Sequence, residues 1–372
     1  MPAGPVKSVH GTFSIPSLDG IRCLAVLAVF VGHSQFGVGL PYWPGFVGVT
    51  VFFFLSGYLI TTLLRREHET TGQISLGRFY LRRALRILPP AWLAIAAAVI
   101  VGALGWVASD TTVWGVLAET LNYTNYYIVF HGREGLPPDT TQFWSLAVEE
   151  HYYLVIPVAL LILWKLRASR KAIGWTMFAI AMLVPLWRIY LGMNGASFDR
   201  LYVSTDTRFD AMLLGTALAL LANPALGDAL PRWVSKHLGL IASIGLVVFV
   251  ACAATPVLAF RLSIADTIEC LALVPIFWFI TTRPSGAVGR FLNSRVVVRL
   301  GVLSFSIYLF HRLALSLGAN LFGDSILADV IGLVLTLAVA EAVYLLVEKP
   351  CGRLRRRLET AAKNRESVKI GA

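Results

Sequence analysis

The sequence predicts an all-α, polytopic membrane protein: a helical bundle of about ten transmembrane helices plus one re-entrant or interfacial segment. Three observations carry this. Of 372 residues, 57% are hydrophobic and only 14% charged, with a positive mean hydropathy that soluble domains do not reach. Apolar runs long enough to cross a bilayer recur along the chain. Between them lie clusters of arginine and lysine, which explain the formal charge of +11 as topology signals and contacts to membrane lipid. That distribution argues against nucleic acid as a partner.

The first element, Ser17 to Phe36, is an apolar stretch with Arg22 near one end and His33 near the other. An arginine and a histidine are costly in a lipid-spanning helix and need partners or work. Eleven residues apart, they fall on nearly one helix face, with about 16 Å of rise between them. The preceding residues lack a charged-then-apolar leader with a cleavage site, so the first span is expected to stay.

In order, the predicted spans are 18–36, 44–64, 88–108, 143–166, 172–191, 207–223, 238–259, 262–282, 299–321 and 326–348, each long enough to cross with some tilt. An eleventh apolar run, Thr112 to Phe130, contains NYTNYY. The positive-inside rule decides its treatment. Arg65, Arg66, Arg78, Arg82, Arg83 and Arg86, then Lys165, Arg167, Arg170 and Lys171, then Arg283, Arg290, Arg295 and Arg353 to Arg357, share one side only if 112–130 does not cross. It is therefore read as re-entrant or interfacial, with both termini cytoplasmic. Residues 1–350 read as one membrane domain and 351–372 as a basic cytoplasmic tail.

Several stretches carry chemistry. In FFFLSGYLIT, Ser56 and Gly57 permit close approach of a neighbouring backbone, or Ser56 lines a site. In GRFYLRRALRILPP, Arg78, Arg82, Arg83 and Arg86 recur at helical spacing until Pro89 and Pro90, which are expected to change the chain's path. Arg83 and Arg86, on one face, read either as an anchor to anionic headgroups or as a fork for phosphate. In QFWSLAVEEHYY, Ser145, Glu149 and Tyr153 lie four apart along one stripe, with Trp144 and Tyr152 expected at the membrane interface. A carboxylate entering an apolar helix needs a cation, an imidazole or a site role.

Further on, Arg208 and Asp210 read as a local charge pair, and Asp266 and Glu269 need partners that the sequence does not name. His311, in SFSIYLFHR, is either a site residue or a buried histidine bonded to a carbonyl. The closing VEKP predicts a helix end at Pro350. Cys23, Cys252, Cys270 and Cys351 show no metal-ligand spacing and read as small membrane residues, so no metal is expected.

Together SLDGIRCLAVLAVFVGH, FFFLSGYLIT, RRALRILP, FWSLAVEEHYYL, RFDAMLLG, SFSIYLFHR and VEKP resemble, in order, the motifs of the acyltransferase-3 family of bacterial integral-membrane O-acyltransferases. The resemblance runs from Ser17 to Pro350. It implies ten core helices in a bacterial inner membrane and transfer of an acyl group, usually acetyl from acetyl-coenzyme A, to an extracytoplasmic carbohydrate or other hydroxyl. The family's first-span arginine and histidine match Arg22 and His33, its arginine pair matches Arg83 and Arg86, and its motif glutamate matches Glu149. Some relatives add a C-terminal esterase-like domain, of which residues 351–372 carry no counterpart.

Chemistry that fits these positions has acyl-coenzyme A docking its phosphates on Arg83 and Arg86. His33 takes the proton of an acceptor hydroxyl, oriented by Glu149, while Arg22 anchors a phosphate or stabilises developing charge, with transfer either direct or through an acyl-histidine. Ser56, Ser145, Tyr153 and His311 are further site candidates. The competing class is a transporter or flippase for a lipid-linked sugar, against which no paired broken segments occur in two halves of the sequence. A purely structural scaffold is disfavoured by the density of intramembrane ionisable groups.

Overall fold

A backbone in hydrocarbon has no water to bond to, so each apolar run must satisfy its own N–H and C=O groups as a helix. The computed structural model describes residues 14–37 and 44–370, among which no strand occurs. The reading of the N-terminal residues as lacking a leader falls on positions outside them. In chain order the helices are α1 (Leu18–Gly32), α2 (Pro44–Thr71), α3 (Leu76–Ala103), α4 (Val113–Thr120), α5 (Thr124–His131), α6 (Phe143–Lys165), α7 (Arg170–Met193) and α8 (Phe198–Tyr202). They continue with α9 (Thr205–Leu221), α10 (Arg232–Ala254), α11 (Leu258–Phe260), α12 (Asp266–Thr282), α13 (Ala287–Leu292), α14 (Arg295–Phe322), α15 (Ile326–Val343) and α16 (Lys349–Ile370). Among the described residues, nine helices are long and apolar enough to cross a membrane. The first span is a tenth, shorter apolar helix of 15 residues.

The predicted spans each coincide with a helix, and four boundaries differ for physical reasons. The first span stops at Gly32 because Gly-His-Ser turns the chain out of the helix, with His33 at φ −113° and its N–H bonded to Phe30 O at 3.1 Å. Pro89 and Pro90 do not redirect the chain, since α3 runs through both for 28 residues. They remove two rungs of the ladder, which the long helix on either side tolerates. The arginines Arg78 to Arg86 therefore lie in the first half of a helix about 42 Å long.

Nor does a helix end at Pro350. A wide turn with π spacing, Tyr344–Glu348, leads directly into α16, and the helical path runs on through Pro350. The run 112–130 resolves into two helices, α4 and α5, of eight residues each, about 12 Å apiece and too short to cross singly.

The chain divides into two compact units, residues 1–74, 122–132 and 144–304 forming the first and 75–121, 133–143 and 305–372 the second. In the first unit, α2 packs on α9 through Gly57 and Gly215. A Cβ on Gly57 would collide with the Met212 carbonyl, and one on Gly215 with the Phe54 carbonyl. The small residues thus set backbone-to-backbone contact, as the sequence predicts for Gly57. In the second unit, α3 packs on α16 with Arg82 3.8 Å from Glu359, and Ser306 on α14 donates to Glu348 at 2.6 Å.

Candidate active site

The close α2–α9 contact leaves Ser56, next to Gly57, on the neighbouring face of α2, where it meets α6. Ser56 Oγ and Tyr153 Oη both donate to Glu149 Oε1, and the two hydroxyl oxygens lie 3.3 Å apart. Spacing of four along α6 puts Glu149 and Tyr153 on one stripe, and α2 supplies the third member. Tyr153 is buried and Glu149 and Ser56 are half-buried. One carboxylate oxygen accepting two hydroxyls is an anion held in a fixed direction. Ser145, one turn before Glu149, is buried on the same stripe.

Also in the first unit, Arg22 is half-buried and bonds Asp19 one turn earlier, Nη1 to Oδ1 at 2.9 Å. His33 is not inside a spanning helix, as the sequence suggests, but at the C-terminal cap of α1, exposed and lying against Gly45 of α2. Its Nδ1 bonds Val29 O at 2.9 Å. With Nδ1–H as the donor, Nε2 is the basic nitrogen of the neutral ring.

The second unit holds Arg83, Arg86 and His311. Arg83 is half-buried with its guanidinium 5.9 Å from the Phe79 ring centre, and Arg86 is exposed one turn on. His311 is buried with Nδ1 bonded to Tyr308 O at 2.8 Å, the carbonyl-bonded alternative of the sequence reading. Around it, Tyr308 Oη donates to Gln142 O at 3.1 Å, Gln142 Nε2 donates to Leu309 O at 3.1 Å, and Arg312 bonds Thr141.

The charges of α9 and α12 find partners the sequence did not predict. Arg208 and Asp210 are not paired with each other. Arg208 bonds Asp266, whereas Asp210 accepts from Arg188 Nη2 on α7 at 2.7 Å and from Thr267 at 2.5 Å. Arg261, carried by a turn of π spacing at Arg261–Ala265, grips Asp266 at 2.5 Å and Glu269 at 2.5 and 2.8 Å. Three arginines thus face three carboxylates, all buried, and the charges balance as burial demands. Arg188 escaped the sequence reading although an arginine within LVPLWRIYLG was itself a signal. Trp144 and Tyr152 are corrected too. Both are buried in the unit's core rather than interfacial, Tyr152 bonded to Thr216.

Two ionisable groups outside the spans are also perturbed. Asp228 accepts both arms of Arg65 at 2.6 and 2.8 Å, Arg170 at 2.9 Å and the Asn223 N–H at 2.9 Å. Burial opposes its charge, and these donors outweigh burial, drawing its pKa down to about 2. Glu119, buried on α4, is pushed well above the ordinary carboxylate range by desolvation, which its bond with Thr140 only partly offsets. Among the described residues no group of three or more His, Cys, Asp or Glu is placed to hold a metal ion.

An all-α membrane bundle with a hydroxyl-bound carboxylate and a histidine cap is the class the geometry defines. Comparison with known proteins narrows it. The model of the acyltransferase domain matches residues 15–345, and the chain belongs to this acyltransferase-3 family. It is 28% identical over 349 residues to Peptidoglycan O-acetyltransferase OatA of Listeria monocytogenes, covering 90% of this chain and 55% of that one. It is 30% identical over 366 residues to SACOL0978 of Staphylococcus aureus, assigned as an O-acetyltransferase, covering 90% and 57%. It is 29% identical over 373 residues to YrhL of Bacillus subtilis, assigned as a peptidoglycan O-acetyltransferase, covering 92% and 56%. The chain thus spans a little over half the length of these relatives. No solved structure matches it significantly.

Proposed function

We propose that this protein transfers an acyl group, acetyl by analogy with its relatives, from acyl-coenzyme A to a hydroxyl of an extracytoplasmic cell-wall carbohydrate. The family match over residues 15–345 carries the reaction class, and relatives named as peptidoglycan O-acetyltransferases support the acceptor. In this reading His33 Nε2 takes the acceptor's proton as its oxygen attacks the thioester carbonyl. The new C–O bond forms, the C–S bond breaks, and the imidazolium returns the proton to the departing thiolate. The bond from Nδ1 to Val29 O supports this, because it leaves the basic lone pair on the other nitrogen.

Glu149, aimed by Ser56 and Tyr153, supplies a fixed negative charge for the imidazolium or the acceptor hydroxyl. Arg83 and Arg86 take the donor's phosphates, and Arg22, about 16 Å along α1 from His33, anchors a further donor phosphate. The basic clusters support a cytoplasmic donor side.

Purified protein incubated with labelled acetyl-coenzyme A and cell-wall glycan fragments tests the reading. Base-labile label on the glycan supports it, and sugar uptake into vesicles without label transfer indicates the carrier class instead. His33→Ala is expected to abolish transfer at normal membrane expression, and near-wild-type turnover removes His33 from the chemistry. Arg86→Ala is expected to raise the apparent KM for the donor about tenfold with little change in kcat, as loss of one charge-assisted phosphate contact implies.

A further inference from the structure

Of the three arginines that share the buried cluster with Asp210, Asp266 and Glu269, Arg208 is set apart by its surroundings. Its guanidinium carbon lies 5.7 Å from the ring centre of Phe53 on α2, 5.8 Å from Trp144 on α6 and 5.3 Å from Tyr202 on α8. The rings also touch each other. Phe53 and Trp144 meet edge to face at 6.0 Å, and Trp144 and Tyr202 lie 4.8 Å apart. Asp266 and Thr50 hold the guanidinium's nitrogens in this box. A planar cation gripped by a carboxylate and faced by three rings has one position, and it fixes the positions of the rings in turn.

Two of those rings share their helices with the hydroxyl-bound carboxylate. Phe53 precedes Ser56 by about 4.5 Å of helix rise, and Trp144 precedes Glu149 by about 7.5 Å. Phe53 meets Trp144, and further along both helices Ser56 meets Glu149. The two contacts are successive rungs between the same pair of helices, and the cation is inserted at the first.

We propose that Arg208 is a positioning residue for acyl transfer: its guanidinium, boxed by Phe53, Trp144 and Tyr202, sets the spacing of α2 and α6 that lets Ser56 aim Glu149. The inference rests on the reading of Glu149 as a site residue. Arg208 is buried and reaches Glu149 only through the helices, so it acts on placement rather than on the reacting atoms. Its removal leaves Asp266 paired with Arg261 at 2.5 Å and Arg188 at 3.4 Å but takes one cation from the balanced set, so a second variant that leaves the ion pairs in place is needed beside it.

The test is a double-mutant cycle in purified, acetyl-transferring protein. Arg208→Met is expected to lower kcat at least thirtyfold, with the KM for donor and acceptor moving less than threefold. Arg208→Lys is expected to recover little, since an ammonium neither stacks nor forks. In a Ser56→Ala background, where the contact being positioned is gone, Arg208→Met is expected to cost less than threefold more. Trp144→Leu, which leaves every ion pair in place, repeats the cycle should Arg208→Met not fold, while Trp144→Phe keeps the box and near-normal turnover. Wild-type kcat in both Arg208→Met and Trp144→Leu, or full additivity with Ser56→Ala, overturns the proposal. Glu149→Gln separates the two layers. If it turns over normally, the reading of Glu149 falls and the inference with it. If it is inactive while the cycle is additive, only the role of Arg208 falls.

Discussion

Glu149 can direct its charge only because one of its oxygens is occupied by two hydroxyls from two different helices. A hydrogen bond to a charged group is worth about 1.5–3 kcal/mol, so each hydroxyl is a separable part of the carboxylate's placement. Ser56→Ala and Tyr153→Phe are each expected to lower kcat by roughly tenfold to a hundredfold while the donor KM holds. Steady-state kinetics decide it, and unchanged kcat in both would detach Glu149's bonds from the reaction. The spacing of Glu149 and Tyr153 was legible in the sequence, because i and i+4 share a stripe on any helix. Ser56 was legible as a small packing residue beside Gly57 or as a site residue, but not as the partner of Glu149, since nothing in one chain says which helix lies opposite. His33 was legible as a residue and not as a place: Gly32 and Ser34 end the helix around it, and apolar composition alone extends the span past them. Arg188 went unread as the partner of Asp210 because pairing across helices has no sequence period, and Arg261 as the partner of Glu269 because a turn of π spacing lies between them on one helical run.

Among the elements, the ten apolar helices of the described residues were readable because runs this long and apolar can satisfy their backbone groups in a bilayer as helices. Their ends were not. Rules that end helices at proline describe helices bounded by water, and α3 passes Pro89 and Pro90 while α16 begins around Pro350. The short helix α4 shows what a partly buried element does with a carboxylate. Glu119 sits in its last turn, where the helix dipole disfavours negative charge. Thr140 Oγ1 contacts both Glu119 Oε1 and Pro137 O, the latter at 2.6 Å, and a hydroxyl has one proton to give. If Thr140 donates to the carbonyl, Glu119 must donate to Thr140. Its other oxygen is buried with no hydrogen-bond partner among the described residues, which also favours the neutral acid. Because desolvation raises this pKa above the unfolded value of about 4.3, the contact is at full strength below that pH and weakens as pH rises through the raised value. Glu119→Gln, which donates to Thr140 at any pH, is expected to match wild type in Tm near pH 5 and to exceed it increasingly towards pH 9. A pH-independent difference would mean that Glu119 is not the titrating group.

At the scale of a whole compact unit, the ionic clusters that α2, α7 and α9 share fall at two levels. Helix α2 carries Thr50 and Arg65, α7 carries Arg188 and Arg170, and α9 with the turn after it carries Arg208 and Asn223. Those pairs are separated by about 22 to 27 Å of helix rise, close to the thickness of the hydrocarbon layer. One knot is the balanced set of three arginines and three carboxylates, and the other gathers around Asp228. Between them the three helices are held by side chains without charge, with Gly57 against α9 midway. The Asp228 knot is the one that water and protons reach, so it is where pH acts on the unit. Its folded pKa of about 2 lies below the unfolded value near 3.9. The stabilisation it contributes is therefore complete above about pH 4 and disappears as pH falls from there towards 2. Asp228→Asn removes the charge that Arg65 and Arg170 share, at a cost of about 2 kcal/mol and a few degrees in Tm. Followed by thermal unfolding in detergent, the gap between wild type and Asp228→Asn is expected to stay constant from pH 7 to 5 and to close near pH 2. A gap that survives at pH 2 would mean that the unit is held at that end by packing, and that the carboxylate is not what joins α2 to α7.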